Sequence, residues 1–443
     1  MITRIEAYNY RCFPKLSLGL GDYHVLAGAN GAGKTTLLDV PVFLGDLLRE
    51  RRVTDAVLRR LGERRTARAH RPIELLHRGQ GETVDFAIEA RLPDDVAAEL
   101  AEDSLPSLDN PLPTHLRYEL RLTVRPQRIE VGAEYLFLFT GPKPDGSVIS
   151  GAHQPRPGEW GQGTPDQGSG TLAHPDWQSV IARNGLAYSR LTPETTATAP
   201  QLPAFKVPVD QLALEAVLPD PSLFPAALWL RGFLKDGTVF YDPDWERLRE
   251  AAPPGDEHAV RPDARNTPWL ALHLYETDPR RHRDWVDHVR TALPQVEDIG
   301  VRVREEDRRA YFTVAYRGGH KVTSSGLSDG TLRVLALTLL PYLPHNAVPS
   351  LLVTEEPENG IHPRAIETVV QSLSSLYGSQ VWVSTHSPLV LAHTELDQVL
   401  AARIRKDGAV EVLPGTEHPR MKNWKGTVDG LDLGTLFAAG VLA

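Results

Sequence analysis

The pattern of apolar and polar residues predicts a strand-rich first part of the chain. Residues 2–8 alternate as an edge strand does, and the apolar run at 23–27 predicts a buried strand. Helical periodicity follows over 35–48 and is interrupted only by Pro41. Three further alternating stretches predict a small antiparallel sheet, at residues 83–91, 115–125 and 128–140.

The middle and the end of the chain have different patterns. Residues 141–210 are rich in Pro, Gly, Ser and Thr, which is typical of loops or partial disorder, and helices are predicted around 211–235 and 265–293. The absence of heptads excludes long coiled-coil arms. After a strand at 311–316, strands and helices alternate: helix 330–341, strand 350–354, helix 363–376 and strand 380–384. This alternation predicts an α/β fold with a parallel sheet.

Composition and charge narrow the class of protein. The single cysteine, Cys12, excludes an internal disulfide and suits a reducing cytoplasm, and the longest apolar run, 332–343, is too short to span a bilayer. The net charge of −9 argues against a generally basic coat for nucleic acid.

One local stretch departs from this acidic balance, because residues 49–78 carry ten arginines against four acidic residues. The stretch is either a contact for DNA phosphates or a solvated helix face, and the arginines that we consider for DNA contact are Arg59, Arg60, Arg64 and Arg65.

A glycine-rich turn between the strand at 23–27 and the helix at 35–48 fits the pattern of a phosphate-binding loop. Glycines let successive backbone N–H groups point at phosphate oxygens, and the start of the helix adds its positive end. Lys34 would reach the β- and γ-phosphates of ATP, and the Thr35 hydroxyl would bind Mg²⁺. The predicted nucleotide-binding residues are Gly28, Asn30, Gly31, Ala32, Gly33, Lys34, Thr35 and Thr36.

Two adjacent carboxylates follow the apolar strand at 350–354. Such a pair can hold Mg²⁺ and polarise an attacking water. We assign Glu356 as the base that positions the water and Glu355 as the residue that contacts the metal. The usual residue at the metal position is aspartate, so the longer Glu355 leaves metal geometry and hydrolysis rate open.

Two further motifs flank these carboxylates. Leu327, Ser328, Asp329 and Gly330 precede a helix, where a serine and a glycine make an anion site or, in isolation, a helix cap. His386 follows the strand at 380–384, which places it at a strand end beside the carboxylates, although a lone histidine is by itself a weak signal.

The order of these motifs resembles the nucleotide-binding domain of ABC-type P-loop ATPases over residues 1–45 and 320–395. The strings EEPENGIHP and STHSP resemble the RecF- and OLD-like "AAA family ATPase" group, many of whose members serve bacterial antiviral defence or DNA repair. Compared with the common signature LSGGQ, this chain has aspartate at 329 and threonine at 331 but keeps Ser328 and Gly330, the family's γ-phosphate contacts.

The resemblance implies a homodimer that sandwiches two ATP molecules, with Ser328 and Gly330 of one chain facing Lys34 of the other and His386 sensing the γ-phosphate in its own chain. Gln80 is the candidate for the glutamine that couples the lobes to the metal. The expected segments are an ATPase part at 1–48, an Arg-rich helical segment with a β-subdomain at 49–140, an insert at 141–300 and a C-terminal ATPase lobe at 301–443.

Several functions remain open at this stage. We expect an ATPase that acts as a motor or switch in a DNA-linked defence complex, with an effector, such as a nuclease, on another chain. The residues after His386 contain no carboxylate cluster, and the histidines do not have metal-ligand spacing, so the sequence shows no sign of a fused nuclease. Asp242 is expected to cap a helix that has Pro243 in its first turn. The alternatives are a non-hydrolysing, nucleotide-gated clamp and a RecF-like repair ATPase; the long insert and LSDGT disfavour a transporter subunit.

Overall fold

The structure of the protein is a computed structural model, and the residues that it describes are 1–60, 66–102, 112–141, 177–185, 188–195, 204–255, 258–421 and 432–441. They divide into two compact units, each built from separate stretches of chain. The first unit comprises Met1–Gly21, Asp39–Gly237 and Ile404–Val412, and the second comprises Asp22–Leu38, Thr238–Arg403 and Leu413–Ala443.

Strands and helices have the following bounds within the described residues. The strands are β1 Ile2–Tyr10, β2 Phe13–Gly19, β3 Tyr23–Gly28, β4 Thr83–Arg91, β5 His115–Val124, β6 Ile129–Phe139, β7 Gln178–Asn184, β8 Tyr188–Leu191, β9 Phe205–Lys206, β10 Thr238–Phe240, β11 Val296–Val303, β12 Ala310–Tyr316, β13 Lys321–Thr323, β14 Leu351–Glu355, β15 Gln380–Thr385, β16 Val399–Ile404 and β17 Val410–Pro414. The α-helices are α1 Lys34–Arg49, α2 Asp55–Leu58, α3 Asp94–Glu102, α4 Pro225–Lys235, α5 Trp245–Arg249, α6 Thr267–Thr277, α7 Pro279–Ala292, α8 Asp329–Leu339, α9 Pro363–Ser374, α10 Pro388–Ala392 and α11 Leu433–Ala438.

The first unit contains an antiparallel sheet of eight strands in the order β2-β1-β4-β5-β6-β7-β8-β9. It is larger than predicted, because β7, β8 and β9 fall in the stretch 141–210 that we expected to be loops. The prediction that β1 is an edge strand is wrong, since β1 pairs with β2 on one side and β4 on the other. Residues 142–176, 186–187 and 196–203 of that stretch lie outside the described residues.

A buried cation holds together one face of this sheet. The fully buried guanidinium of Arg117 donates to Glu6, Glu89 and Glu119, at 2.9, 2.6 and 2.7 Å. Burial alone would raise the pKa of Glu6, but Arg117 and Arg4 outweigh it and lower that pKa. Because three carboxylates bond to it, loss of Arg117 would leave buried negative charge with fewer cations to compensate it.

The Arg-rich stretch, which we predicted to be helical, contains only short helical pieces among its described residues. After α1 ends at Arg49, the described part of the stretch forms only the short α2 and two 3₁₀ turns, Pro72–Leu75 and His77–Gly79. Several of its arginines bind within the protein; Arg68, for example, is buried and pairs with Asp39 and Asp46 at 2.8 and 2.6 Å.

The second unit confirms the α/β prediction. In its main sheet the strands β10, β14, β15, β3 and β16 are neighbours in that order, and all of these pairs are parallel. A separate antiparallel sheet has the order β11-β12-β13. β3 and β15 are buried throughout, as strands are when helices cover both faces of a parallel sheet.

The helices of the second unit begin at recognisable signals. Ser328 caps α8 by accepting from the Thr331 N–H, and Pro363 occupies the first turn of α9. Both helices bury apolar side chains in one core around Trp285. No helix of the described residues is long and apolar enough to cross a membrane.

The predicted role of Asp242 is wrong. The cap of α5 is Asp244, whose side chain accepts from the Arg247 N–H at 3.2 Å, and the helix begins at Trp245. Asp242 instead follows the end of β10, two residues before the cap. The error arose because two aspartates flank Pro243, and either one could have preceded the first turn.

Candidate functional site

The predicted phosphate loop lies between β3 and α1 and has the expected backbone shape. Gly31 and Gly33 have φ of 76° and 79°, a left-handed conformation that side chains disfavour. The Ala32 N–H donates to the Ala29 carbonyl at 3.2 Å, which closes the turn before α1 begins at Lys34. Left-handed residues at a helix start present N–H groups to a common anion, so this backbone fits a phosphate group.

Lys34 lies inside the loop, with only 7% of its surface exposed. Its ammonium donates to the carbonyls of Gly28 and Ala29 at 2.8 and 3.0 Å. Burial lowers the pKa of Lys34, while the charges of Glu356 and Glu355 oppose that shift. The phosphate-loop lysine and the double carboxylate, which are distant in sequence, are therefore neighbours in the second unit.

The two predicted magnesium ligands meet directly. Glu355 ends β14, and its carboxylate forms a hydrogen bond with the side chain of Thr35 in the first turn of α1. Burial raises the pKa of Glu355, and the charges of Glu356 and Asp242 raise it further, whereas Thr35 and Lys34 lower it. A hydroxyl and a carboxylate that lie side by side offer the oxygen ligands that Mg²⁺ prefers.

Glu356 is held in an unusual backbone conformation, with φ of 44° and its N–H donating to the Ser384 carbonyl at 2.8 Å. One carboxylate oxygen accepts from the Asn359 side chain at 2.5 Å, and the other lies 3.6 Å from Nε2 of His386. A non-glycine residue at positive φ marks a position that the surrounding structure determines strongly. The two predicted catalytic side chains are thus adjacent and partly exposed.

The charge state of His386 follows from its neighbours. Burial lowers its pKa first, the positive charge of Lys34 lowers it further, and the negative charge of Glu356 works in the opposite direction. The imidazole is therefore neutral at neutral pH and can donate or accept a hydrogen bond next to a phosphate without adding a full charge.

Three supporting residues were not found from the sequence. Asn359 orients Glu356, as described above. Glu358 is buried and accepts from the Thr385 hydroxyl, which in turn accepts from the Ser387 N–H at 2.9 Å. Together they fix the turn that carries His386. Their positions inside EEPENG and STHSP were visible, but no spacing in the sequence shows which side chains of the two strings bond to each other.

The signature residues form the entry to α8. Besides the Thr331 N–H, Ser328 Oγ contacts the Thr331 hydroxyl at 2.9 Å, so this side chain now serves as a helix cap. Gly330 lies against another loop, because a Cβ there would come 2.7 Å from the Gly360 carbonyl oxygen. The glycine is therefore needed for packing, whether or not it also contacts a phosphate. Leu327 is buried, and Asp329 is exposed.

The remaining predicted residues lie in the first unit. Arg59 is exposed and pairs with Asp55 at 3.2 Å, while Arg60 is exposed; Arg64 and Arg65 lie outside the described residues. Gln80 is also exposed, and its backbone carbonyl accepts from the side chain of Asn9 at 2.9 Å. The DNA contact and the coupling role of Gln80 stay predictions.

Comparison with known proteins supports the assignment at the level of the fold. A family described as "AAA domain, putative AbiEii toxin, Type IV TA system" matches residues 215–392, a range that includes the signature, the double carboxylate and His386 but not the phosphate loop. No curated protein matches significantly.

Among solved structures, an Smc head bound to the C-terminal winged-helix domain of ScpA is similar, with a TM-score of 0.53, 13% identity, and coverage of 93% of this chain and 97% of that one. An Smc head from Pyrococcus furiosus bound to the C-terminal domain of ScpA has a TM-score of 0.47, 11% identity and coverage of 93% and 95%. The SMC head from Thermotoga maritima has a TM-score of 0.40, 11% identity and coverage of 93% and 98%.

The first of these similarities extends over nearly the whole chain and concerns the fold. Together with the family match and the phosphate loop, it supports a P-loop ATPase. The RecF- and OLD-like subgroup is not distinguished by these matches. The protein has the fold of an ABC-type P-loop ATPase.

Proposed function

We propose that the protein binds and hydrolyses ATP and that it works as a homodimer closed over two ATP molecules. The observation that carries the proposal is the meeting of Lys34, Thr35, Glu355, Glu356 and His386 in one unit of the structure. These five side chains come from three separate parts of the sequence. A purely structural role would not require a buried lysine, two glutamates and a histidine at one end of a parallel sheet.

Each of these residues has a role that its contacts support. The loop N–H groups and Lys34 would hold the β- and γ-phosphates, and Thr35 with Glu355 would hold Mg²⁺. Bound there, Mg²⁺ would neutralise the charge that develops on the phosphate oxygens. Glu356 would position the attacking water, because Asn359 holds one of its carboxylate oxygens and the other lies 3.6 Å from His386 Nε2.

Dimerisation is proposed because the resemblance to ABC-type ATPases implies that the signature loop of a second subunit completes each nucleotide site. Ser328 and Gly330 stand at the start of α8, where the N-terminal end of a helix favours an anion. In the proposed dimer this end faces the γ-phosphate bound to the partner's loop. Closing would then depend on ATP, and hydrolysis would reopen the pair.

We further propose that this cycle serves a bacterial defence complex linked to DNA, in the cytoplasm, with an effector such as a nuclease on another chain. The description of the matching family names a toxin of a toxin–antitoxin system, which favours a defence role over RecF-like repair. Although Arg68 is buried against Asp39 and Asp46, Arg59 and Arg60 of the same stretch are exposed, and these two side chains support a contact with DNA phosphates.

A second candidate is a nucleotide-gated clamp without useful turnover. Glu355 favours it, because this side chain is one methylene longer than the usual aspartate and is already hydrogen-bonded to Thr35. Such a clamp would bind ATP and dimerise but release no phosphate.

Steady-state phosphate release, with and without double-stranded DNA, separates the two functions. Turnover that DNA stimulates and that Glu356→Gln abolishes supports the ATPase. ATP binding and dimerisation without phosphate release would favour the clamp. Absence of ATP binding would refute both.

A further inference from the structure

Arg249, at the end of α5, makes two contacts with the loop that precedes α8 and one with Asp329, the first residue of that helix. Its guanidinium pairs with Asp329 Oδ1 at 2.6 Å and donates to the backbone carbonyls of Leu327 and, at 3.5 Å, Ser325. One planar group therefore bonds to residues on both sides of Ser328. Arginine suits this task because its fork of N–H donors has a fixed geometry.

The same short helix is attached to α8 a second time. The Arg333 guanidinium, one turn beyond Asp329, lies 4.2 Å from the ring centroid of Trp245 at the start of α5. A cation over an aromatic ring is attractive and fixes the two groups face to face. Since Trp245 and Arg249 are opposite ends of α5, both ends of this helix bind the first turns of α8.

The strand before α5 connects this contact to the nucleotide site. β10 pairs in parallel with β14 so that Phe240 lies opposite Val353, and the Tyr241 N–H donates to the Val353 carbonyl at 2.7 Å. Two residues further, Asp242 and Glu355 lie at the same end of neighbouring strands. Asp242 is close enough for its charge to influence the carboxyl of Glu355.

The contacts also account for the aspartate that replaces the usual glycine of the signature. Asp329 has a partner in its own chain, and it lies in the first turn of α8, where a negative charge is favourable. The ion pair is partly exposed, with 33% of the Arg249 side chain and 59% of the Asp329 side chain accessible, so the attraction between the two charges contributes little to stability by itself. The carbonyl contacts are what fix the path of the loop.

We propose that Arg249 is a positioning residue: it holds residues 327–330 in the conformation that presents Ser328 and Gly330 to the nucleotide of a second subunit. This inference rests on the proposed function, because the loop acts in trans only in the closed dimer. The positioning itself exists in the single chain and can be measured without nucleotide.

The experiment compares Arg249→Ala with Arg290→Ala in the full chain. Arg290 is a matched control, since it also pairs with an aspartate, Asp287, and donates to a backbone carbonyl, that of Glu297, but does so on α7. Hydrogen–deuterium exchange of the nucleotide-free protein is followed in peptides covering 325–333. We expect exchange about fivefold faster there in Arg249→Ala, as the loss of a hydrogen bond of ordinary strength implies, and no change there in Arg290→Ala.

Two further readouts separate positioning from general damage. The affinity for ATP should stay within about twofold of the parent value, because Lys34 and its loop are untouched. ATP-dependent dimerisation, measured by light scattering in the Glu356→Gln background, should weaken about tenfold, and Arg249→Lys should restore it only in part because lysine lacks the fork.

The outcomes distinguish the two proposals. Unchanged exchange at 325–333 in Arg249→Ala would overturn the positioning role, regardless of the results for ATP binding and dimerisation. Faster exchange with undiminished dimerisation would overturn the claim that the positioned loop acts in trans. If exchange is faster in Arg249→Ala but the parent protein neither binds ATP nor dimerises, the positioning role stands and the proposed function is refuted.

Discussion

Removal of the Lys34 side chain is the perturbation whose effect can be worked out most fully. The ammonium now donates to two carbonyls of its own loop and faces Glu355 and Glu356. On ATP binding it would exchange those carbonyls for phosphate oxygens. Hydrogen bonds that involve a charged group contribute about 1.5–3 kcal/mol each, so removing two of them corresponds to at least about a hundredfold weaker binding.

The assay is a calorimetric titration of ATP into Lys34→Ala, with Lys15→Ala as the control. Lys15 is an exposed lysine on β2 and takes no part in the site. We expect the dissociation constant to rise about a hundredfold or more in Lys34→Ala and to stay unchanged in Lys15→Ala. A Lys34→Ala protein that is folded, as judged by circular dichroism, yet binds ATP with the parent affinity would refute the assignment of the phosphate loop.

Three other predictions concern stability and DNA. Arg117→Met leaves the buried Glu89 and Glu119 without the cation that they bond to and leaves Glu6 with Arg4 alone, and it should lower the free energy of unfolding in urea by about 3–5 kcal/mol. Arg125→Met, whose ion pairs are partly exposed, should cost at most about 1 kcal/mol, and equal effects of the two substitutions would contradict this reasoning. Burial raises the pKa of Glu194 from 4.5 to about 8, so between these pH values the folded state keeps a proton that the unfolded state loses. The stability of the protein should therefore fall as the pH rises from 4.5 to about 8. Thermal melts of Glu194→Gln that keep the full pH dependence of the parent would exclude this cause. Replacing Arg59, Arg60, Arg64 and Arg65 by alanine should weaken binding to double-stranded DNA. The slope of the logarithm of the binding constant against the logarithm of the salt concentration should become shallower by up to about 0.9 for each DNA phosphate that the protein no longer neutralises. An unchanged slope would identify a solvated surface.

The sequence predicted those parts of the fold in which local pattern and tertiary structure agree. β3, α1, β14, α9 and β15 lie close to their predicted positions, because buried parallel strands and amphipathic helices leave strong patterns. β7 and β8 were missed, since short strands within Pro- and Gly-rich sequence are stabilised by pairing with neighbours rather than by their own pattern.

The site was predictable for a different reason. Its main residues stand at strand ends in recognisable strings, and parallel strands bring their carboxyl ends to one edge of the sheet. Asn359, Thr385 and Arg249 were not predicted, because their roles depend on contacts between loops that no spacing reveals. Asp242 was misassigned for the same reason: its place near Glu355 follows from the pairing of β10 with β14.

The most direct test of the central claim is the molecular mass of Glu356→Gln in the presence of ATP and Mg²⁺, measured by light scattering. We expect a stable species of twice the monomer mass, because ATP closes the dimer and the missing carboxylate stops hydrolysis. The same variant carrying Ser328→Arg should stay monomeric while it still binds ATP. A Glu356→Gln protein that binds ATP and remains a monomer at every nucleotide concentration would contradict the claim that two chains close over two ATP molecules.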